Sequence, residues 1–219
     1  MMMRRLWRGA AARLHGTAVL CHQHSELTLI SLCPFCPVSV CSSPPQDRAH
    51  LLYRASVDGF RRASFACKCV GEGRTLTLVK GSGFLFGAFS LPRWPADGTA
   101  ADPTGKSFLF SLVNKLDRPA RFALRDAGHA LEMAADGVRF GGCKRAAGAQ
   151  TSWPNFGLMV HGRAGDAPDG NTANHAQRYN AAYAPEELGR PGAAPEMCDE
   201  TFFGGQQFFA AEEIEVYKL

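Results

Sequence analysis

The sequence predicts a mainly β, α+β domain: two antiparallel sheets packed as a sandwich, with a few short flanking helices. Three observations point there. Apolar or alternating segments of roughly four to eight residues recur between Gly, Asp and Pro turn signals, which is the strand period. No strand–helix–strand rhythm runs through them, so a doubly wound parallel sheet does not fit. Fifteen phenylalanines among 219 residues suit a core of aromatic pairs on pleated surfaces.

Residues 1–46 read differently from the rest. The opening MMMRRLWRGAAARLHG is basic, Ala-rich and free of acids, as in an organelle transit peptide or a disordered tail. Leu27–Val40 is apolar, but it is too short to span a bilayer and is broken by Pro34 and Pro37. Cys33 and Cys36 form a CxxC pair, with Cys21, His22, His24 and Cys41 nearby. Two such thiolates can share a metal ion, but the remaining ligands lack standard spacing. Ser42-Ser43-Pro44-Pro45 reads as a linker, which sets the domain at residues 47–219.

Charge divides the same way. Four arginines against one glutamate give the segment before Asp47 a net +3 of the total +4, leaving +1 for the domain. A near-neutral domain lacks the footprint of a nucleic-acid or anionic-membrane binder. The other four cysteines, Cys67, Cys69, Cys143 and Cys198, are scattered through the domain. With no uninterrupted secretory signal, reduced thiols and a cytoplasmic location are expected, or a mitochondrial or plastid one if residues 1–46 act as a transit peptide.

Along the domain, His50–Ser56 reads as a strand and Asp58-Gly59 as a turn. Phe60, Ala63, Ala66 and Cys67 fall near helical spacing, so a short helix is expected over Phe60–Cys69, ended by Gly71–Gly73. Thr75–Lys80 alternates like a half-buried strand, and Gly81-Ser82-Gly83 turns it into Phe84–Ser90, apolar on both faces. Leu91–Gly105 is a loop carrying Trp94, and Ser107–Asn114 is the next strand. Arg121–Leu124, Ala130–Met133, Val138–Phe140 and Phe156–His161 are shorter ones. Gly162–Gly205 is irregular, with a short helix expected near Pro185–Leu188. In Ala211–Leu219, a final strand, Ile214 and Val216 face one way and Glu213, Glu215 and Tyr217 the other.

The chemistry-bearing candidates are few. GxSxG, GxxxxGK[ST], HExxH and dinucleotide fingerprints are absent from the sequence, so no cofactor is expected. Glu212, Glu213 and Glu215 form an acidic cluster, with Glu213 and Glu215 ~7 Å apart on one strand face. Such a pair can do acid–base work, or it can guard a solvated edge strand. Cys67 and Cys69 flank Lys68 and follow Arg61 and Arg62; they read as a thiol oxidant sink or as small buried residues. His129, His161 and His175 show no ligand spacing. Phe202, Phe203, Phe208 and Phe209 suit a core, with an exposed subset near Gly204-Gly205 able to anchor a protein partner.

Six blocks, in order, resemble one known family. LYRASVDGF (52–60) resembles the opening signature of TLDc domains, and TLTLVK (75–80) is similar to their next block. FLFGAF (84–89) is similar to their glycine-bearing hairpin strand, and SFLFSL (107–112) to the block after it. Gly141-Gly142 and Asn155-Phe156-Gly157 resemble the later glycine segments, and Phe208 through Tyr217 the C-terminal signature. The stretch from Cys143 to Gly204 follows the family only loosely, and a helical segment often found ahead of its first strand is missing.

The resemblance implies a two-sheet sandwich whose signature positions here are Asp58, Gly59, Gly87, Gly141, Gly142, Glu213 and Glu215. It implies a non-catalytic protein-interaction module linked to oxidative-stress resistance, with the vacuolar-type proton-pumping ATPase as a partner. The competing expectation is a thiol antioxidant or an enzyme using Cys67, Cys69 or the C-terminal glutamates.

Overall fold

The computed structural model describes residues 19–23, 26–30, 49–134, 137–141, 158–160, 174–176, 183–185, 201–206 and 208–219. Two antiparallel sheets face each other. The larger is ordered β1-β2-β3-β15-β4-β5-β7-β8-β13. Its strands are β1 (Val19–Gln23), β2 (Glu26–Ile30), β3 (Ala49–Arg54), β4 (Thr75–Gly81), β5 (Phe84–Ser90), β7 (Phe108–Val113), β8 (Ala120–Leu124), β13 (Tyr183–Pro185) and β15 (Glu213–Lys218). The smaller is ordered β14-β12-β11-β10-β9-β6. Its strands are β6 (Gly98–Ala100), β9 (Leu131–Ala134), β10 (Gly137–Phe140), β11 (Leu158–Val160), β12 (Asn174–Ala176) and β14 (Phe208–Phe209). Two short helices, α1 (Ala55–Asp58) and α2 (Arg62–Cys69), follow β3, and a 3-10 turn spans Ala127–His129.

The main core lies between the sheets, and aromatic rings fill it as the composition suggests. Phe86 of the large sheet meets Phe209 of the small one edge to face, with centroids 5.2 Å apart. Trp94 bridges Phe65 of α2 and Phe140 of β10 at 4.9 and 5.5 Å. Phe202 and Phe203 close the far side against Phe122, and both are buried. Offset and edge-on pairs like these add about 0.5–1.5 kcal/mol each beyond area burial.

Several expectations change in detail. Thr75–Lys80 is not half-buried: residues 75–79 are buried on both faces. The reason is position, since β4 sits between β15 and β5. Its Val79 enters the main core, and Leu76 and Leu78 join a second apolar cluster with Phe89, Phe110 and Tyr217 on the sheet's other face. The helix after Gly59 forms, but it buries Phe65 and Cys69 rather than the face through Ala63 and Cys67, which are exposed. The loop around Trp94 contains the edge strand β6. Pro185 ends strand β13, and the rest of the helix expected at 185–188 lies outside the described residues.

Gly87 is fixed by sterics. A Cβ there would overlap the Thr77 carbonyl oxygen on β4 and lie 3.0 Å from the Phe110 ring. The β4–β5 hairpin turns as expected through Ser82 and Gly83, both at positive φ (52° and 82°), a two-residue loop that matches strand twist. Ahead of the domain boundary expected at residue 47, β1 and β2 form a hairpin whose second strand pairs with β3 at Leu27–Ala49 and Glu26–His50.

Candidate functional site

The chemistry-bearing residues converge where β3 turns into α1 and meets β15. β15 runs antiparallel between β3 and β4, pairing Glu215 with Arg54 on one side and Leu78 on the other. The solvated edge strand considered for this segment is therefore replaced by a central strand. Ile214 and Val216 enter the main core, as alternation requires, and Glu215 and Tyr217 on the other face are buried as well.

Each carboxylate of the acidic cluster has its own fixed partner. Glu212 pairs with the Lys80 ammonium at 2.6 Å and accepts the Ser82 amide. Glu213 accepts the Ser56 amide at 3.0 Å and its neighbour Ile214's amide at 3.1 Å. Glu215 accepts the Arg54 Nε–H at 2.8 Å on one oxygen and the Tyr217 hydroxyl at 2.8 Å on the other. Arg54 and Glu215 face one another across directly opposed strand positions, so the ladder register itself sets their approach. Burial, then the adjacent Glu215 carboxylate, pushes the Tyr217 hydroxyl well above its ordinary value, so it stays protonated and remains a donor.

Asp58 finishes the corner. Its carboxylate accepts the Arg54 amide at 2.9 Å and pairs with Lys68 of α2 at 3.4 Å. Gly59, at φ +95°, returns its amide to Ala55 and offers its carbonyl to the buried Tyr53 hydroxyl at 2.6 Å. The Asp-Gly turn read from sequence is thus the hinge between two helices, tied on both sides to β3. Gly141 also has φ +95° and donates its amide to Ala130; Gly142 lies outside the described residues.

The two cysteines of α2 part company. Two residues apart on a helix they lie about 200° apart around its axis. Cys69 is wholly buried and Cys67 is exposed. Burial, with Glu72 and Asp58 adding to it, pushes the Cys69 thiol up to about 12. At neutral pH the thiol therefore stays protonated, whereas the thiolate is the nucleophilic form. Cys33 and Cys36 lie outside the described residues, as does His161. Among the described residues no group of three or more His, Cys, Asp or Glu could hold a metal ion, and His129 is paired with Asp126 at 3.0 Å.

One feature escaped the sequence reading. Ala100–Ser107, AADPTGKS, differs from a phosphate-binding loop only in its first glycine. Here it leads into strand β7 rather than a helix. The buried Asp102 carboxylate fills the cradle itself, accepting the amides of Thr104 and Ser107 at 3.0 and 2.7 Å and the Thr104 hydroxyl at 2.6 Å. Burial raises its pKa, but these hydrogen bonds outweigh that and hold it below the usual carboxylate range. The loop's donors are thus taken by an internal anion.

Among the described residues no helix is long and apolar enough to cross a membrane. A search of curated proteins finds no match to this chain. The TLDc domain family model matches residues 25–219. That match covers most of the sequence and begins ahead of the boundary expected at residue 47. With the two-sheet sandwich already in place, the conclusion is direct: this chain belongs to the TLDc family.

Proposed function

We propose that this TLDc domain is a protein-interaction module of oxidative-stress protection that works by docking rather than by turnover. The observation that carries this is the state of the acidic cluster. Glu212, Glu213 and Glu215 are each held by a lysine, an arginine, a tyrosine or a backbone amide. A general acid or base needs an oxygen within reach of a substrate proton; both oxygens of Glu212 and both of Glu215 are engaged, and Glu213 accepts the Ser56 and Ile214 amides. The family resemblance makes the vacuolar-type proton-pumping ATPase the leading partner, met in the cytoplasm. Residues 1–46 would redirect the chain to a mitochondrion or plastid if they act as a transit peptide.

The test is a pull-down from lysate with the full chain, read by mass spectrometry. Enrichment of proton-pump subunits supports the proposal, and their absence at high bait concentration counts against that partner. A second possibility rests on Cys67, which is exposed beside Lys68. It requires that the chain consume peroxide and that Cys67→Ser abolish this; equal rates in both proteins would remove it.

A further inference from the structure

Three hydroxyls lie on the inner face of the β4–β5 hairpin. Thr75 and Ser90 are directly opposed, and Thr77 pairs with Ala88, one step along the same face. All three residues are 0–1% exposed. Thr75 Oγ1 accepts the Trp94 indole N–H at 3.0 Å and keeps its own proton to donate. Thr77 Oγ1 and Ser90 Oγ have no hydrogen-bond partner among the described residues. An unsatisfied buried hydroxyl costs about 1–3 kcal/mol, and two of them at neighbouring positions in a hairpin of otherwise matched strands call for a common partner.

We propose that Thr77 and Ser90 hold one buried water molecule on the inner face of the β4–β5 hairpin, with the Thr75 hydroxyl as its third ligand. Diagonal positions on one face of an antiparallel pair have Cβ atoms up to ~7 Å apart, so their hydroxyls come within the span that one water bridges. Three polar partners are what a buried water takes on average. The surroundings match, since Val79, Phe86, Ala88 and Trp94 seal this face from solvent. The water accepts from Thr75 and from one of the other hydroxyls and donates to the one that remains. This completes a chain from the Trp94 indole through Thr75 to Thr77 and Ser90. The chain fixes the Trp94 loop, and through the Trp94 and Phe65 rings helix α2, against the large sheet. None of this depends on the docking proposal.

The sign of two mutations tests it. Thr77→Val and Ser90→Ala remove one hydroxyl each with little change of shape. If the hydroxyls ligate a water, each substitution raises the unfolding constant of the full chain about 5-fold, and the double variant is less than additive because both act on one ligand. If the hydroxyls are simply unsatisfied, each substitution lowers the unfolding constant and the two effects add, which overturns the proposal. A crystal structure of the unmodified chain gives the second reading. Density within about 3.2 Å of both oxygens supports the water, and hydroxyls turned onto backbone carbonyls with no density between them refute it.

Discussion

Two regions that the sequence marks equally, the acidic C-terminal strand and the paired cysteines of α2, end up under opposite constraints. In β15 the strand period of two puts Glu213, Glu215 and Tyr217 on one face, where Arg54 of β3 and Tyr217 hold Glu215 and the Ser56 and Ile214 amides hold Glu213. In α2 the 100° step separates Cys67 from Cys69, sending one to solvent and the other into the core. The strand gathers its reactive groups and neutralises them. The helix divides its pair and leaves one thiol exposed. Polar residues close in sequence are therefore no guide to a shared site until the backbone period is known.

The largest test of this contrast removes the strand. Deleting residues 213–219 strips β3 and β4 of their shared partner, so near-UV circular dichroism and cooperative unfolding should both vanish. A chain that still unfolded cooperatively would show that β15 is peripheral.

Alkaline pH acts next, through the tyrosines. Burial is the first cause that pushes Tyr53, Tyr183 and Tyr217 well above the ordinary phenol range, and each hydroxyl donates within the fold, to Gly59, Ala130 and Glu215. Above pH ~10 the unfolded chain releases these protons and the native chain keeps them, so stability falls as pH rises. The slope should approach about 4 kcal/mol per pH unit for the three together, since each contributes about 1.4. Denaturant midpoints between pH 8 and 11 read it, and Tyr217→Phe should remove about a third. A flat profile would mean that the hydroxyls ionise freely in the fold.

Much of this fold was legible in advance. Strand period, turn residues and the phenylalanine count lead to a two-sheet sandwich, and the alternation in Glu213–Lys218 already separates Ile214 and Val216 from Glu215 and Tyr217. Sheet order was not legible, because nothing local says that the last strand lies between β3 and β4. That non-local fact converts an edge-guarding acidic face into a largely shielded ion pair, and a half-buried β4 into a strand buried on both faces over residues 75–79. The face of α2 was misjudged by local reading too. The small residues Ala63 and Cys67 fit the helical period as well as Phe65 and Cys69 do, and only the Tyr53 and Trp94 rings decide between them. Asp102 went unnoticed because an aspartate before a Pro-Thr-Gly turn looks like ordinary loop chemistry.

Smaller effects sharpen the same contrast. Gly87→Ala should cost roughly 3 kcal/mol, since the new methyl overlaps the Thr77 carbonyl oxygen and crowds the sheet. Cys69→Ser places a hydroxyl in the aromatic core, at about 1–3 kcal/mol. Cys67→Ser should stay within about 0.5 kcal/mol, as for other exposed positions. Iodoacetamide labelling followed by peptide mass spectrometry separates the two thiols directly: Cys67 should react in the native chain and Cys69 only on unfolding. Equal labelling would contradict the division made by α2.

The structural role of the acidic cluster rests on Arg54 and Glu215, and a double-mutant cycle measures it most directly. Arg54→Ala, Glu215→Ala and the double variant are compared by urea unfolding. With both partners largely shielded, at 25% and 11% side-chain exposure, the coupling should exceed about 1 kcal/mol, above the range of exposed surface pairs. A coupling near zero would mean that Glu215 does not hold β15 to β3, and its carboxylate would again be a candidate for chemistry.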